Sequence, residues 1–91
     1  MERVVIIGSG NVATSLAHGL AARCEVAQIY SRTLVHAQAL ANAVGCPATS
    51  DLDELVRDAD VYIIAVKDDA IADILAAVPD NCALWVHTSG S

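Results

Sequence analysis

The sequence predicts an α/β fold, a parallel sheet of about five strands with helices on both faces. Three observations lead there. Short apolar runs alternate with helical patterns along the whole chain. Of 91 residues, 55% are hydrophobic but only 3% aromatic, with no Phe, so the core must be Ala, Val, Ile and Leu, which suits helices layered on parallel strands. The first apolar run, Val4–Ile7, opens at once into Gly8-Ser9-Gly10-Asn11-Val12-Ala13, a strand, a turn of small residues and the start of a helix.

Taken in order, Val4–Ile7 is the first strand, and Val12, Leu16 and Leu20 give the next helix its apolar stripe. Val26–Tyr30 is the second strand. Leu34, Ala37, Leu40, Ala41 and Val44 form one face of the second helix, with Gly45 as its stop. A short third strand lies around Cys46–Ala48. Ser50 is placed to cap a helix whose Leu52, Leu55 and Val56 face inward. Val61–Val66 is an unbroken apolar run, as in a strand buried on both faces. Asp68 or Asp69 can cap a helix carrying Ile71, Ile74, Leu75 and Val78, which Pro79 closes. Ala83–Val86 is the last strand. No linker, low-complexity tract or repeat interrupts the series. The sequence stops at Ser91, where the next crossover is due, so residues 1–91 read as the N-terminal part of a larger protein. The other reading is a minimal domain that covers its last strand by self-association.

Charge and composition exclude several classes. A net charge of −6 argues against nucleic acid or an anionic membrane as partner. Cys24, Cys46 and Cys82 are widely spaced, which fits a reducing compartment, the cytoplasm, better than a disulfide frame. His18, His36 and His87 lack ligand spacing, so no metal site is expected, and no apolar run has membrane-spanning length. His18 and His36 read as surface or packing residues, and Glu54, Arg57 and Asp58 as a solvated helix face.

The glycine turn is where chemistry is expected. Gly8 permits the tight turn off the strand, Gly10 lets a pyrophosphate approach the backbone, and Ala13 keeps the helix close to the sheet. The helix N-terminus then offers N–H groups and a positive dipole end to an anion. About twenty residues further on, enzymes that use NAD place an Asp or Glu for the adenosine ribose. Here Ser31, Arg32 and Thr33 stand instead, a cation and two hydroxyls suited to a 2′-phosphate, so the cofactor is read as NADP rather than NAD. Glu25 sits at the wrong end of its strand to serve the ribose. The plainer alternative makes Arg32 a solvated loop residue and Thr33 a helix cap.

Ala65, Val66 and Lys67 end the fourth strand, beside the crevice where strand order reverses, and would border the nicotinamide half. Asp68 and Asp69 are accounted for as caps, and Lys67 is either a contact or a solvated lysine. His87, followed by Thr88, Ser89 and Gly90, ends the last strand and is the weak candidate for a catalytic acid or hydrogen-bond donor to a substrate carbonyl.

With these segments together, the chain resembles the NADP-binding domain of the superfamily of pyrroline-5-carboxylate reductases, 6-phosphogluconate dehydrogenase relatives and deazaflavin-dependent NADP reductases. It most resembles uncharacterised bacterial oxidoreductases that carry this Rossmann-like domain ahead of a helical C-terminal domain. The resemblance spans the chain. It implies that Gly8 to Ala13 hold the pyrophosphate, Ser31 to Thr33 the 2′-phosphate, and Ala65 to Asp68 the nicotinamide side. It also implies a small-molecule substrate and a homodimer formed through the helical domain, which has no counterpart in this sequence.

The expected function is therefore hydride transfer by an NADP-dependent oxidoreductase of which this chain is the cofactor domain. A non-catalytic nucleotide-sensing module is the rival reading. Methyl transfer from S-adenosylmethionine is disfavoured, since its ribose also wants an acid at the end of the second strand.

Overall fold

The computed structural model of the protein describes residues 2–8, 10–56, 58–65 and 84–87. Its elements are β1 (Arg3–Ile7), α1 (Asn11–Ala21), β2 (Glu25–Tyr30), α2 (Leu34–Val44), β3 (Ala48–Thr49), a short 3-10 helix (Leu52–Glu54), β4 (Val61–Ile64) and β5 (Leu84–His87). All pairings are parallel, and the sheet order is β3-β2-β1-β4-β5. This is the Rossmann-like order, with its reversal between β1 and β4.

The order also decides which face each connection takes. Steps from β1 to β2 to β3 move one way across the sheet, and the step to β4 moves back the other way. Right-handed crossovers then put α1 and α2 on one face and the β3–β4 connection on the opposite face. The packing agrees. Val4 and Ile6 of β1 share a cluster with Ala13 and Ala17 of α1 and Ala37, Leu40 and Ala41 of α2. Val5 and Ile7 pack on the other side with Leu55 and Ala59, and Leu52 and Val56 lie against them. The largest fully buried side chains, among them Ile6, Ile7, Ile29, Tyr62 and Ile64, all come from β1, β2 and β4. Each contributes about 1.5–3 kcal/mol by its burial.

A β-bulge in β2 sets the phase of its side chains. Val4 pairs with Val26 but Val5 pairs with Gln28, so Ala27 is the extra residue. Val26 and Ile29 consequently face the helices, while Ala27 and Tyr30 face the connection. Without the bulge, Gln28 would stand beside Ile6 in the helix-facing core. With it, buried Gln28 reaches the connection, donating to the Glu54 carbonyl at 3.0 Å and accepting the Val56 N–H at 2.9 Å.

Apart from shifts at strand ends (β4 stops at Ile64, before Ala65, and β5 runs on to His87), the elements differ from the sequence-based expectation in four places. The helix expected after Ser50 is a single 3-10 turn, and Asp51 rather than Ser50 caps it, accepting the Asp53 N–H at 2.9 Å. Its peptide groups are taken by side chains of the sheet: Gln28 holds Glu54 and Val56, and the Tyr62 hydroxyl donates to the Val56 carbonyl. A longer α-helix would have to give these bonds up. The face assigned to Glu54 and Asp58 is therefore not helical. Glu54 accepts from Thr49 Oγ1 at 3.0 Å, and Asp58 pairs with Arg3 at 2.8 Å. The third strand lies at Ala48–Thr49 rather than 46–48, because Pro47 has no N–H and joins the ladder only by accepting the Ile29 N–H. Leu34 is 41% exposed and does not belong to the buried face of α2.

Other expectations hold. Gly45 ends α2 in the left-handed conformation at φ 77°. Cys24 and Cys46 are half-buried thiols with no disulfide, and burial pushes the Cys46 thiol up from its ordinary pKa. Ser9, Arg57, Val66 to Asp69, the 71–78 helix with Pro79, Cys82, and Thr88 to Ser91 lie outside the described residues.

Replacing Gln28 with Leu strands the Glu54 carbonyl and the Val56 N–H against the sheet. Equilibrium urea unfolding of Gln28→Leu should show a loss of about 1–3 kcal/mol.

Candidate functional site

In a parallel sheet every strand ends on the same side, and those of the sequence-predicted residues that are described gather on that edge. Gly8 follows β1, Ser31 follows β2, Ala65 follows β4, and His87 ends β5 in register with Ile64. Three backbone bonds lock the edge together. The Gly8 N–H donates to the Tyr30 carbonyl at 2.7 Å, the Ala65 N–H to the Ile7 carbonyl at 2.8 Å, and the Ser31 N–H to the Thr49 carbonyl at 3.1 Å.

Gly8 is required here for two separate reasons. Its φ is +134°, which L side chains rarely adopt, and a Cβ would lie 2.4 Å from the Ala65 carbonyl oxygen. The turn therefore leaves the sheet in the cleft between β1 and β4, where the strand order reverses. Gly10 then caps α1 with its backbone in an extended conformation (ψ −169°). Among the described residues no side chain caps this helix, and its first turn holds no acid. Its leading N–H groups and dipole end are thus left for a ligand. Ala13 is completely buried against the sheet, as its expected role demands, and Val12 is partly buried beside it. The Thr14 hydroxyl donates back to the Gly10 carbonyl at 2.9 Å and stiffens this start. A glycine cradle and an acid-free helix terminus fit a dinucleotide pyrophosphate.

The end of β2 offers a second polar cluster. Ser31 is buried, and its Oγ accepts the Thr33 N–H at 3.3 Å. That bond turns the chain into α2. Thr33 occupies the N-cap position of α2, yet its hydroxyl makes no capping bond, and the first turn again holds no acid. Arg32 is exposed and forms no ion pair with any described residue. Glu25, by contrast, is engaged with Arg3 at 3.0 Å at the opposite end of the strand.

Sequence reasoning passed over Asp51. It follows β3 and adjoins this cluster, because β3 is the neighbour of β2. The only available signal was its position just after a strand, and the strand itself was misplaced. The Tyr30 phenol registers both charges: burial raises its pKa above 10, Arg32 pulls it down and Asp51 pushes it up. His18 and His36 are exposed, as expected, and line a groove of about 300 Å³ between α1 and α2 with Thr14 and Leu40. Among the described residues, no three His, Cys, Asp or Glu converge to hold a metal.

Two outcomes follow. Gly8→Ala adds both backbone strain and a collision, so its thermal melt should fall by the equivalent of about 2 kcal/mol or more. In NMR titration of the tyrosine rings, Arg32→Ala should move the Tyr30 midpoint up and Asp51→Asn should move it down. Because the folded pKa is raised, Tyr30 contributes stability below pH 10 that is lost as pH rises through the folded value.

Comparison with known proteins now bears on this edge. Residues 3–84 match the family described as NADP oxidoreductase, coenzyme F420-dependent. A protein from Bacteroides fragilis assigned as an NADP oxidoreductase is 40% identical, with a TM-score of 0.90 over 96% of this chain and 35% of its own. A pyrroline-5-carboxylate reductase from Coxiella burnetii shares the fold at 22% identity, with a TM-score of 0.78 over 94% of this chain and 34% of its own. A myo-inositol dehydrogenase from Corynebacterium glutamicum does so at 23% identity, with a TM-score of 0.84 over 96% of this chain and 27% of its own. No curated protein matches the sequence significantly. The chain thus spans about a third of the length of the solved structures it resembles. It belongs to the F420-dependent NADP oxidoreductase family, of which it carries the NADP-binding, Rossmann-like domain.

Proposed function

We propose that this chain is the cofactor-binding part of an oxidoreductase that moves hydride between NADP and a small-molecule substrate. The observation that carries this reading is the Gly8 turn. It is packed on the Ala65 carbonyl and opens directly onto the uncapped, acid-free start of α1. In this reading the backbone from Gly8 through Ser9, Gly10, Asn11 and Val12 to Ala13 receives the pyrophosphate. Ser31, Arg32 and Thr33 receive the 2′-phosphate, with Arg32 supplying the charge and Thr33 a hydroxyl not spent on capping. Ala65, Val66 and Lys67 border the nicotinamide half. NADP, when bound, supplies the hydride chemistry, and the protein's part is to orient it and exclude water. His87, at the end of β5, is the candidate donor to a substrate carbonyl.

The same reading makes residues 1–91 the dinucleotide-binding unit and assigns the substrate pocket and a homodimer contact to a further helical domain. That only about a third of the Bacteroides fragilis protein is covered supports this division. A bacterial, cytoplasmic setting is supported by the bacterial relatives and by thiols at Cys24 and Cys46 that form no disulfide. Among the described residues, no helix is long and apolar enough to cross a membrane.

Titration with NADPH and NADH, followed by nicotinamide fluorescence, tests the proposal. NADPH should bind more tightly, and Arg32→Ala should weaken NADPH by about tenfold or more while changing NADH little. Indifference of the wild-type chain to both nucleotides would refute it.

A further inference from the structure

Arg32 is not the only charge beside the end of β2. The Ser31 N–H bond to the Thr49 carbonyl carries the β2–β3 pairing past its last register pair, Tyr30 with Thr49. Arg32 and Asp51 each stand two residues beyond that pair, on neighbouring segments that run in the same direction. Asp51 is exposed, and it is held in place twice over. Its N–H donates to Thr49 Oγ1 at 3.1 Å, and its Oδ1 accepts the Asp53 N–H at 2.9 Å. Thr49 is itself buried and bonded to Glu54 Oε2 at 3.0 Å. Asp51 forms no ion pair with Arg32. It is therefore a fixed negative charge near the cation rather than a partner that neutralises it.

We propose that Asp51 is a specificity-determining residue for the cofactor, a carboxylate whose charge beside Arg32 holds down the affinity for a 2′-phosphate. The inference rests on the reading of Arg32 as the 2′-phosphate contact. A phosphomonoester carries about −1.5 to −2 charges at neutral pH, so one fixed carboxylate at the rim repels it. A nucleotide with a bare ribose lacks that group and escapes this repulsion. Removing the charge therefore raises discrimination in favour of NADP. The shared response of Tyr30 to Arg32 and Asp51 is consistent with the two charges acting on one locality.

The test is fluorescence titration of the wild-type chain, Asp51→Asn and Glu2→Gln with NADPH and with NADH. Asn at position 51 keeps an oxygen for the Asp53 N–H and removes only the charge. Glu2→Gln removes an equal charge just before β1, at the other end of the strands. Asp51→Asn should tighten NADPH about three- to tenfold, leave NADH unchanged or weaker, and lose this gain as salt is raised. Glu2→Gln should leave the NADPH-to-NADH ratio at the wild-type value. A wild-type preference for NADPH with an unmoved ratio in Asp51→Asn overturns the role of Asp51 alone. So does an equal gain in both variants. A wild-type chain that does not prefer NADPH overturns the NADP reading and the Asp51 inference together.

Discussion

The contact on which the rest of the structure depends is the packing of Gly8 against the Ala65 carbonyl. A Cβ at Gly8 would come within 2.4 Å of that oxygen, so β4 can close on β1 only because the residue leaving β1 has no side chain. The same residue is tied to β2 through its N–H and the Tyr30 carbonyl. One glycine thus sets where three strands end relative to one another. It also sets the direction in which the chain leaves toward α1. The proposed pyrophosphate site is a consequence, since α1 must begin above the cleft between β1 and β4 with its N–H groups turned outward.

A second constraint acts across the sheet. Reversal of strand order after β3 obliges the return connection to cross the face that α1 and α2 do not cover. That face must be apolar enough to bury and polar enough to hold a segment with few backbone bonds of its own. The bulge at Ala27 resolves the conflict by re-aiming Gln28. One amide then satisfies two peptide groups of the connection, while Leu55 and Ala59 fill the remaining space. Because the connection is pinned at Glu54, Val56 and Thr49, Asp51 at its start is placed with comparable definition beside the end of β2.

Much of this was legible in the sequence, for identifiable reasons. Strand–helix alternation and the Gly8-to-Ala13 spacing are local patterns, and local patterns determined which strands pair and where the helix begins. Arg32 is singled out because its position is counted from the glycine turn. What depended on distant partners was not legible. Ser50 followed by Leu52, Leu55 and Val56 satisfies the rules for a capped helix. The segment forms only a 3-10 turn because Gln28, Thr49 and Tyr62 claim its peptide groups. A glutamine within an apolar strand was the one trace of this in the sequence, and it signals a buried partner without naming it. Asp51 was passed over for the same reason: the role proposed for it comes from β3 lying against β2.

An acidic domain that binds a polyanion needs a physical explanation, and the layout of its charges supplies one. Glu25, Asp58 and Asp60 gather around Arg3 at the amino ends of the strands. The proposed cofactor edge is at the carboxyl ends. Five residues of β1 separate the two, about 16 Å at ~3.3 Å per residue. That is about twice the screening length at physiological salt. The repulsion from this cluster therefore reaches the phosphates only weakly. Among the described residues, what they meet is local: two helix termini without acids, the Arg32 guanidinium, and the carboxylates that follow β3, with Asp51 the first of them. Net charge excludes extended anions such as nucleic acid, which would lie across the whole surface. It does not exclude a dinucleotide confined to one edge, and the choice between its phosphorylated and unphosphorylated forms falls to the few charges within a screening length of the end of β2.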